Sequence, residues 1–140
     1  MSVNPVESQT QCLSAYPQSV LIVDDHDFVR AGLRLFFEQR TELHVCGEAC
    51  NGAEGVKIAK ECKPDLVLMD LRMPEMNGAE AAAAIRKELP DTRIVVFTLF
   101  ADSFGRFMAK ATGVDVVVSK SEGLTGLEKA LEKLLERPLS

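Results

Sequence analysis

The apolar run DLVLMD ends on a carboxylate, Asp70, and the residues behind it, LRMPEMNG, are turn formers rather than more strand. Two further carboxylates, Asp24 and Asp25, close the run SVLIV, and His26 and Asp27 follow them. A third run, RIVVFT, stops on the hydroxyl of Thr98, and a fourth, VDVVVS, leads into the ammonium of Lys120. Three carboxylates in one place repel one another and titrate upward unless a cation offsets them. Oxygen ligands without Cys or His suit a hard ion, Mg²⁺ above all, which keeps several of its waters. A hydroxyl and an ammonium beside it are what a tetrahedral phosphoryl group needs, a donor and a positive charge for its oxygens. The set therefore reads as a site that takes a phosphoryl group onto a carboxylate. Asp70 is the natural acceptor, because Thr98 and Lys120 flank it from the next strands.

Taken singly, none of these residues carries that reading. An Asp behind a strand is usually a turn or cap residue. A Thr at a strand end usually bonds backbone, and a lysine usually faces water. What joins them is the order of elements. SVLIVDD (19–25) is a short β-branched strand, and residues 26–40 set Phe28, Val29, Leu33, Phe36 and Phe37 at helical spacing. LHVCGEA (43–49) is a second strand; Asn51, with Glu54 three residues on, predicts a capping box opening a helix that runs to about Cys62. DLVLMD (65–70), an alanine-rich helix over 78–89, RIVVFT (93–98), a helix over 102–111, VDVVVS (114–119) and a leucine-striped helix over 122–136 complete five repeats. Near-continuous apolar strands alternating with helices predict a parallel sheet covered on both faces. Right-handed crossovers make it a flavodoxin-like, doubly wound α/β sandwich with strand order 2-1-3-4-5. Ligands bind such sheets at the carboxyl ends of the strands, where the order reverses. Strands one, three and four are neighbours there, so Asp24, Asp25, Asp70 and Thr98 converge, with Lys120 at the next strand's end.

The bulk properties narrow the alternatives. A chain of 140 residues suits one domain, expected over 19–137, with no output domain behind it. The 46% hydrophobic and 26% charged composition excludes a disordered or fibrous chain. A net charge of −5 carries no nucleic-acid footprint and draws cations instead. No apolar run approaches the roughly 18–20 residues that span a bilayer. Residues 1–18 lack the basic start and apolar middle of a signal peptide and read as a flexible leader. The four cysteines, at 12, 46, 50 and 62, form no CxxC pair. A metal site from His44, Cys46 and Cys50 is conceivable, but reduced thiols in a cytoplasmic protein are the expectation.

LIVDDHDFVRAGL, DLVLMDLRMPEMNG, IVVFT and Lys120 together resemble the receiver domain of two-component response regulators, of the CheY-like superfamily, over about residues 19–136. DDHDFVRAGL and HVCGEACNGAEG further resemble the NarL/FixJ type, whose receivers commonly precede a helix-turn-helix DNA-binding domain. The resemblance implies Asp70 as phosphoacceptor. It implies Asp25 and Asp24 as Mg²⁺ ligands together with Asp70 and the backbone carbonyl of Arg72. Thr98 would bond the phosphoryl group and Lys120 pair with it. The implied donor is a sensor histidine kinase, met by the first helix (about 27–39). The implied activity is phosphoryl acceptance with self-dephosphorylation at most, so the chain is not expected to be an enzyme. A phosphorylation-linked homodimer and transcription control are the implied consequences, with no direct contact to nucleic acid or membrane.

Three positions depart from the family's pattern. Val117 stands where an aromatic switch residue is usual, Leu99 where a small residue follows the threonine, and Ser121 where many members have proline. The first two are the support for a rival reading, a pseudo-receiver that acts only as an interaction module. A second rival is a haloacid-dehalogenase-type phosphatase, because Asp25-His26-Asp27-Phe28-Val29 fits its DxDxV signature. That family needs a further acidic pair beyond its lysine, and it leaves DLRMPEMNG unexplained. In the helix over 102–111, Phe104, Phe107 and Met108, with Phe100 ahead of them, gather around Gly105. Packing against the sheet is the ordinary reading of such a patch, and repacking on phosphorylation the sharper one.

Overall fold

The computed structural model describes residues 18–73, 76–102 and 112–139. The expected leader, apart from Gln18, lies outside these residues, as do Pro74 and positions 103–111 of the expected fourth helix. Five strands form one sheet: β1 (Gln18–Val23), β2 (Leu43–Ala49), β3 (Leu66–Met69), β4 (Arg93–Thr98) and β5 (Val116–Ser119). Their order is β2-β1-β3-β4-β5 and every neighbouring pair is parallel, as the sequence predicts. Helices α1 (Asp27–Glu38), α2 (Gly52–Cys62), α3 (Gly78–Glu88) and α4 (Gly123–Leu135) cover the sheet.

The strands are apolar throughout because successive side chains feed two separate layers. Val20, Ile22, Leu66, Leu68, Val95 and Phe97 meet Leu33, Phe36 and Phe37 of α1 and Leu127 and Leu131 of α4. Leu21, Val23, Val67, Met69, Ile94 and Val96 meet Ala59 of α2 and Ala81, Ala82 and Ile85 of α3. The second layer is lined by small helix residues, so its helices lie close to the sheet. Gly55 shows how close: a Cβ there would sit 3.0 Å from both methyl groups of Val23.

β2 is irregular. Val20 pairs with Val45 and Leu21 with Gly47, so Cys46 is an extra residue. The bulge shifts the strand's alternation, which leaves Leu43 and Val45 in the first layer and Cys46 and Ala49 in the second.

Boundaries shift where side chains replace ladder bonds. β5 starts at Val116 rather than 114, because the Asp115 carboxylate accepts the Ile94 N–H at 2.7 Å and holds Arg86 at 2.8 Å. The last helix is preceded by a 3₁₀ turn, Lys120–Glu122. The capping box expected at Asn51 is incomplete. Asn51 Oδ1 accepts the Glu54 N–H at 2.8 Å, but the Glu54 carboxylate reaches the N–H of Cys50 at 2.8 Å, one residue too early. A full box forms at Asn77 and Glu80, with reciprocal bonds of 2.9 and 3.2 Å.

That box places the start of α3 directly behind Asp70. The Gly78 N–H donates to the Leu71 carbonyl at 2.7 Å. A Cβ at Gly78 would collide with the Asp70 carbonyl oxygen and lie 2.9 Å from the Leu71 Cα. Backbone cannot swing aside as a side chain can, so Gly78→Ala is expected to cost about 1–3 kcal/mol in urea unfolding. A variant as stable as the natural protein would show that the loop has room to move.

Candidate functional site

The strand ladders continue one step past the strands and fix the acids at the sheet's edge. The Asp24 N–H donates to Ala49 at 3.0 Å, and the Asp70 N–H donates to Val23 at 2.9 Å. Both residues are buried, Asp24 at 1% exposure and Asp70 at 6%. Lys120, the first residue of the 3₁₀ turn after β5, lies between them. Its Nζ donates to Asp24 Oδ2 at 2.9 Å and to Asp70 Oδ2 at 3.2 Å. Burial alone would pull this ammonium's pKa down. The hydrogen bonds and charges of Asp24 and Asp70 outweigh that and hold it above the ordinary lysine value.

Asp25 and His26 complete the cluster. His26 donates its backbone N–H to Asp24 Oδ1 at 2.9 Å, and its Nδ1 lies 3.1 Å from Asp24 Oδ1 and from Asp25 Oδ1. Hydrogen-bond geometry is met only toward Asp24, so the buried Oδ1 of Asp25 has no hydrogen-bond partner among the described residues. Ligand atoms of Asp24, Asp25, His26 and Asp70 all lie within 4.8 Å of one another. A buried carboxylate oxygen without a donor, beside two more carboxylates, fits a bound cation. An imidazole, that of the exposed His26, also stands at the rim of this group. The signal was in view, a histidine directly behind the acid pair. His44, Cys46 and Cys50 do not form such a group among the described residues.

Thr98 ends β4 beside Ser119 and is fully buried. Its Oγ1 accepts the Phe100 N–H at 3.1 Å, which uses a lone pair and keeps its O–H for another acceptor. Arg72 lies two residues behind Asp70 and stacks its guanidinium on the Phe100 ring, 4.5 Å from the centroid. That contact has no signature in the sequence, because it joins the loops behind two different strands. Leu99 is 69% exposed. Val117 is half-buried, pairs with Val96 and packs in the layer beneath α3.

Fold and site together define a doubly wound domain of the CheY-like kind, with an acid cluster that could hold a metal ion at its switch point. The family model of the response regulator receiver domain matches residues 20–132, and the chain belongs to that family, the receiver domains of two-component response regulators. It is 35% identical over 117 residues to the response regulator protein VraR of Staphylococcus saprophyticus, covering 84% of this chain and 56% of that one. The chain thus spans little more than half the length of this relative. A LuxR-family two-component response regulator from Aurantimonas superposes with a TM-score of 0.79 at 34% identity, over 87% of this chain and 88% of that one. The receiver domain of the NarL regulator from Mycobacterium tuberculosis gives 0.77 at 31% identity, over 86% and 97%. No helix among the described residues is long and apolar enough to cross a membrane.

Lys120 is the cation already built into the cluster, so removing it exposes the repulsion it offsets. Lys120→Met is expected to cost roughly 3 kcal/mol of stability in metal-free buffer, since two buried carboxylates lose their partner. Added Mg²⁺ should restore much of that loss. A loss below about 0.5 kcal/mol, or no response to Mg²⁺, would contradict this electrostatic account of the site.

Proposed function

We propose that this domain takes a phosphoryl group from the phosphohistidine of a sensor histidine kinase onto Asp70. The observation that carries the reading is the Lys120 ammonium held between two buried carboxylates, 2.9 Å from Asp24 and 3.2 Å from Asp70. In the transfer, a carboxylate oxygen of Asp70 attacks phosphorus in line with the departing imidazole nitrogen. The new O–P bond forms as the N–P bond breaks. Lys120 follows the negative charge from the Asp70 carboxylate to the phosphoryl oxygens, and the Thr98 hydroxyl donates to one of them. Bound Mg²⁺, held by Asp24, Asp25, Asp70 and the backbone carbonyl of Arg72, would supply the remaining positive charge that three carboxylates and a phosphoryl group require. The acyl phosphate then hydrolyses on the domain itself, which acts as a phosphoacceptor and not as an enzyme on other substrates.

The output we propose is transcription control from the cytoplasm. Its support is the LuxR-family neighbours, one of them a DNA-binding response regulator from Staphylococcus aureus, and the longer relatives of which this chain spans about half. Phosphorylation would be read out by pairing of two receivers.

Acetyl phosphate provides the test without the kinase. With Mg²⁺ the natural chain should acquire one acid-stable, base-labile phosphate, and chelation of the metal should abolish it. Asp70→Asn should lower labelling at least 100-fold. Undiminished label in that variant would overturn the assignment, and label on Asp25 would favour the dehalogenase-type reading.

A further inference from the structure

The cysteines belong to no part of the phosphoryl site, yet two of them meet. Cys46 sits on β2 and Cys62 ends α2, sixteen positions apart in the chain, and their Sγ atoms are 2.8 Å apart. Both are free thiols and both are half-buried. We propose that Cys46 and Cys62 are an oxidation site, a dithiol that closes to a disulfide and staples the edge strand β2 to the end of α2.

Three features of the fold bring the sulfurs together. Cys46, next to Val45 of the first layer, faces the opposite layer beneath α2, and the bulge turns Gly47 behind it to that same side. Gly47 beside it lets the helix approach. A Cβ there would lie 2.8 Å from Ile58 Cγ2 of α2 and 3.9 Å from Cys62 Sγ. The end of α2 is then held by Lys63, which takes a left-handed conformation with φ 46° and donates its N–H to Ala59 at 2.8 Å. A non-glycine residue in that conformation indicates a helix end fixed by its surroundings, not a fraying one.

The spacing also decides between a metal and a bond. Two thiolates on one Zn²⁺, each about 2.3 Å from the ion in tetrahedral array, stand about 3.8 Å apart. Sulfurs at 2.8 Å are too close to share an ion and need only a small approach to reach the roughly 2.05 Å of a disulfide. Burial, with the adjoining Cys62 thiol, pushes the Cys46 thiol up to about 12, so it stays protonated at neutral pH. The steps balance in the same way whichever thiol is oxidised first. With a hydroperoxide as oxidant acting on Cys62, the thiolate takes one oxygen to become a sulfenic acid, and water or an alcohol leaves. Cys46 sulfur then attacks that sulfur, losing its proton, and the sulfenic oxygen departs as water. Two thiols are oxidised by two electrons in all, and the hydroperoxide is reduced. Cys50 is exposed and forms no part of the pair.

The test uses the whole chain, reduced and then exposed under native conditions to hydrogen peroxide or diamide, alkylated and digested with trypsin without reductant. The expected product links peptide 41–57 to peptide 61–72 through Cys46, with Cys50 in the same peptide carrying the alkyl group. This pairing should exceed every other at least tenfold, revert with dithiothreitol, and raise Tm by about 5 °C. Cys62→Ser should abolish both the link and the Tm increment. Alkyl label on both Cys46 and Cys62 after an exposure that has consumed Cys50 would overturn the proposal. So would a dominant link through Cys50 or Cys12.

Discussion

The Lys120 ammonium between Asp24 and Asp70 is the contact around which the rest of the domain is arranged. Its two bonds join residues 96 and 50 positions apart in the chain. Carboxylates as buried as these two repel one another and lose their hydration, so they persist only where a cation is held against them. One internal positive charge cannot neutralise three acids. The Asp24, Asp25 and Asp70 set keeps a net negative balance and a buried oxygen, Asp25 Oδ1, without a hydrogen-bond partner among the described residues. A site in that condition invites a further cation and then an anion for that cation to hold, and a phosphoryl group with its metal meets both demands.

The parallel sheet makes the arrangement possible. Each of these side chains leaves the sheet at a strand's carboxyl end, and the order β2-β1-β3-β4-β5 sets β1, β3 and β4 side by side. Ladder bonds from Asp24 to Ala49 and from Asp70 to Val23 extend the sheet one residue past its strands, so the acids rest on rigid backbone. The start of α3 lies against Asp70, where the Asn77–Glu80 box and bare Gly78 permit backbone to lie on backbone. Two apolar layers then hold the sheet, one formed by aromatic and leucine side chains and the other by alanines and glycines that draw their helices close.

Much of this was legible in the sequence, because the governing patterns are local. VLIV, LVLM and IVVF are apolar without interruption, as a doubly covered strand is, and the strand order and the convergence of Asp24, Asp70 and Lys120 follow from that. The features that escaped depend on contacts between distant segments. His26 reads as a helix-start residue until its ring is seen 3.1 Å from two acids. The Glu54 carboxylate chooses Cys50 over Asn51 by one residue, a difference of angle that spacing does not encode. The stack of Arg72 on Phe100 pairs two loops. The meeting of Cys46 with Cys62 joins a strand to the end of the helix after it, a contact that no periodicity in LHVCGEA announces.

The central claim, that Asp70 accepts phosphate because the fold holds a cation against it, is most directly tested by locating the acyl phosphate chemically. Borohydride reduces an aspartyl phosphate to homoserine, which peptide mass spectrometry assigns to a single position. Chain phosphorylated with Mg²⁺ present and then reduced should carry homoserine at position 70, with Asp24 and Asp25 unchanged. Homoserine at position 24 or 25, or none in a chain that has taken up phosphate, would contradict the account.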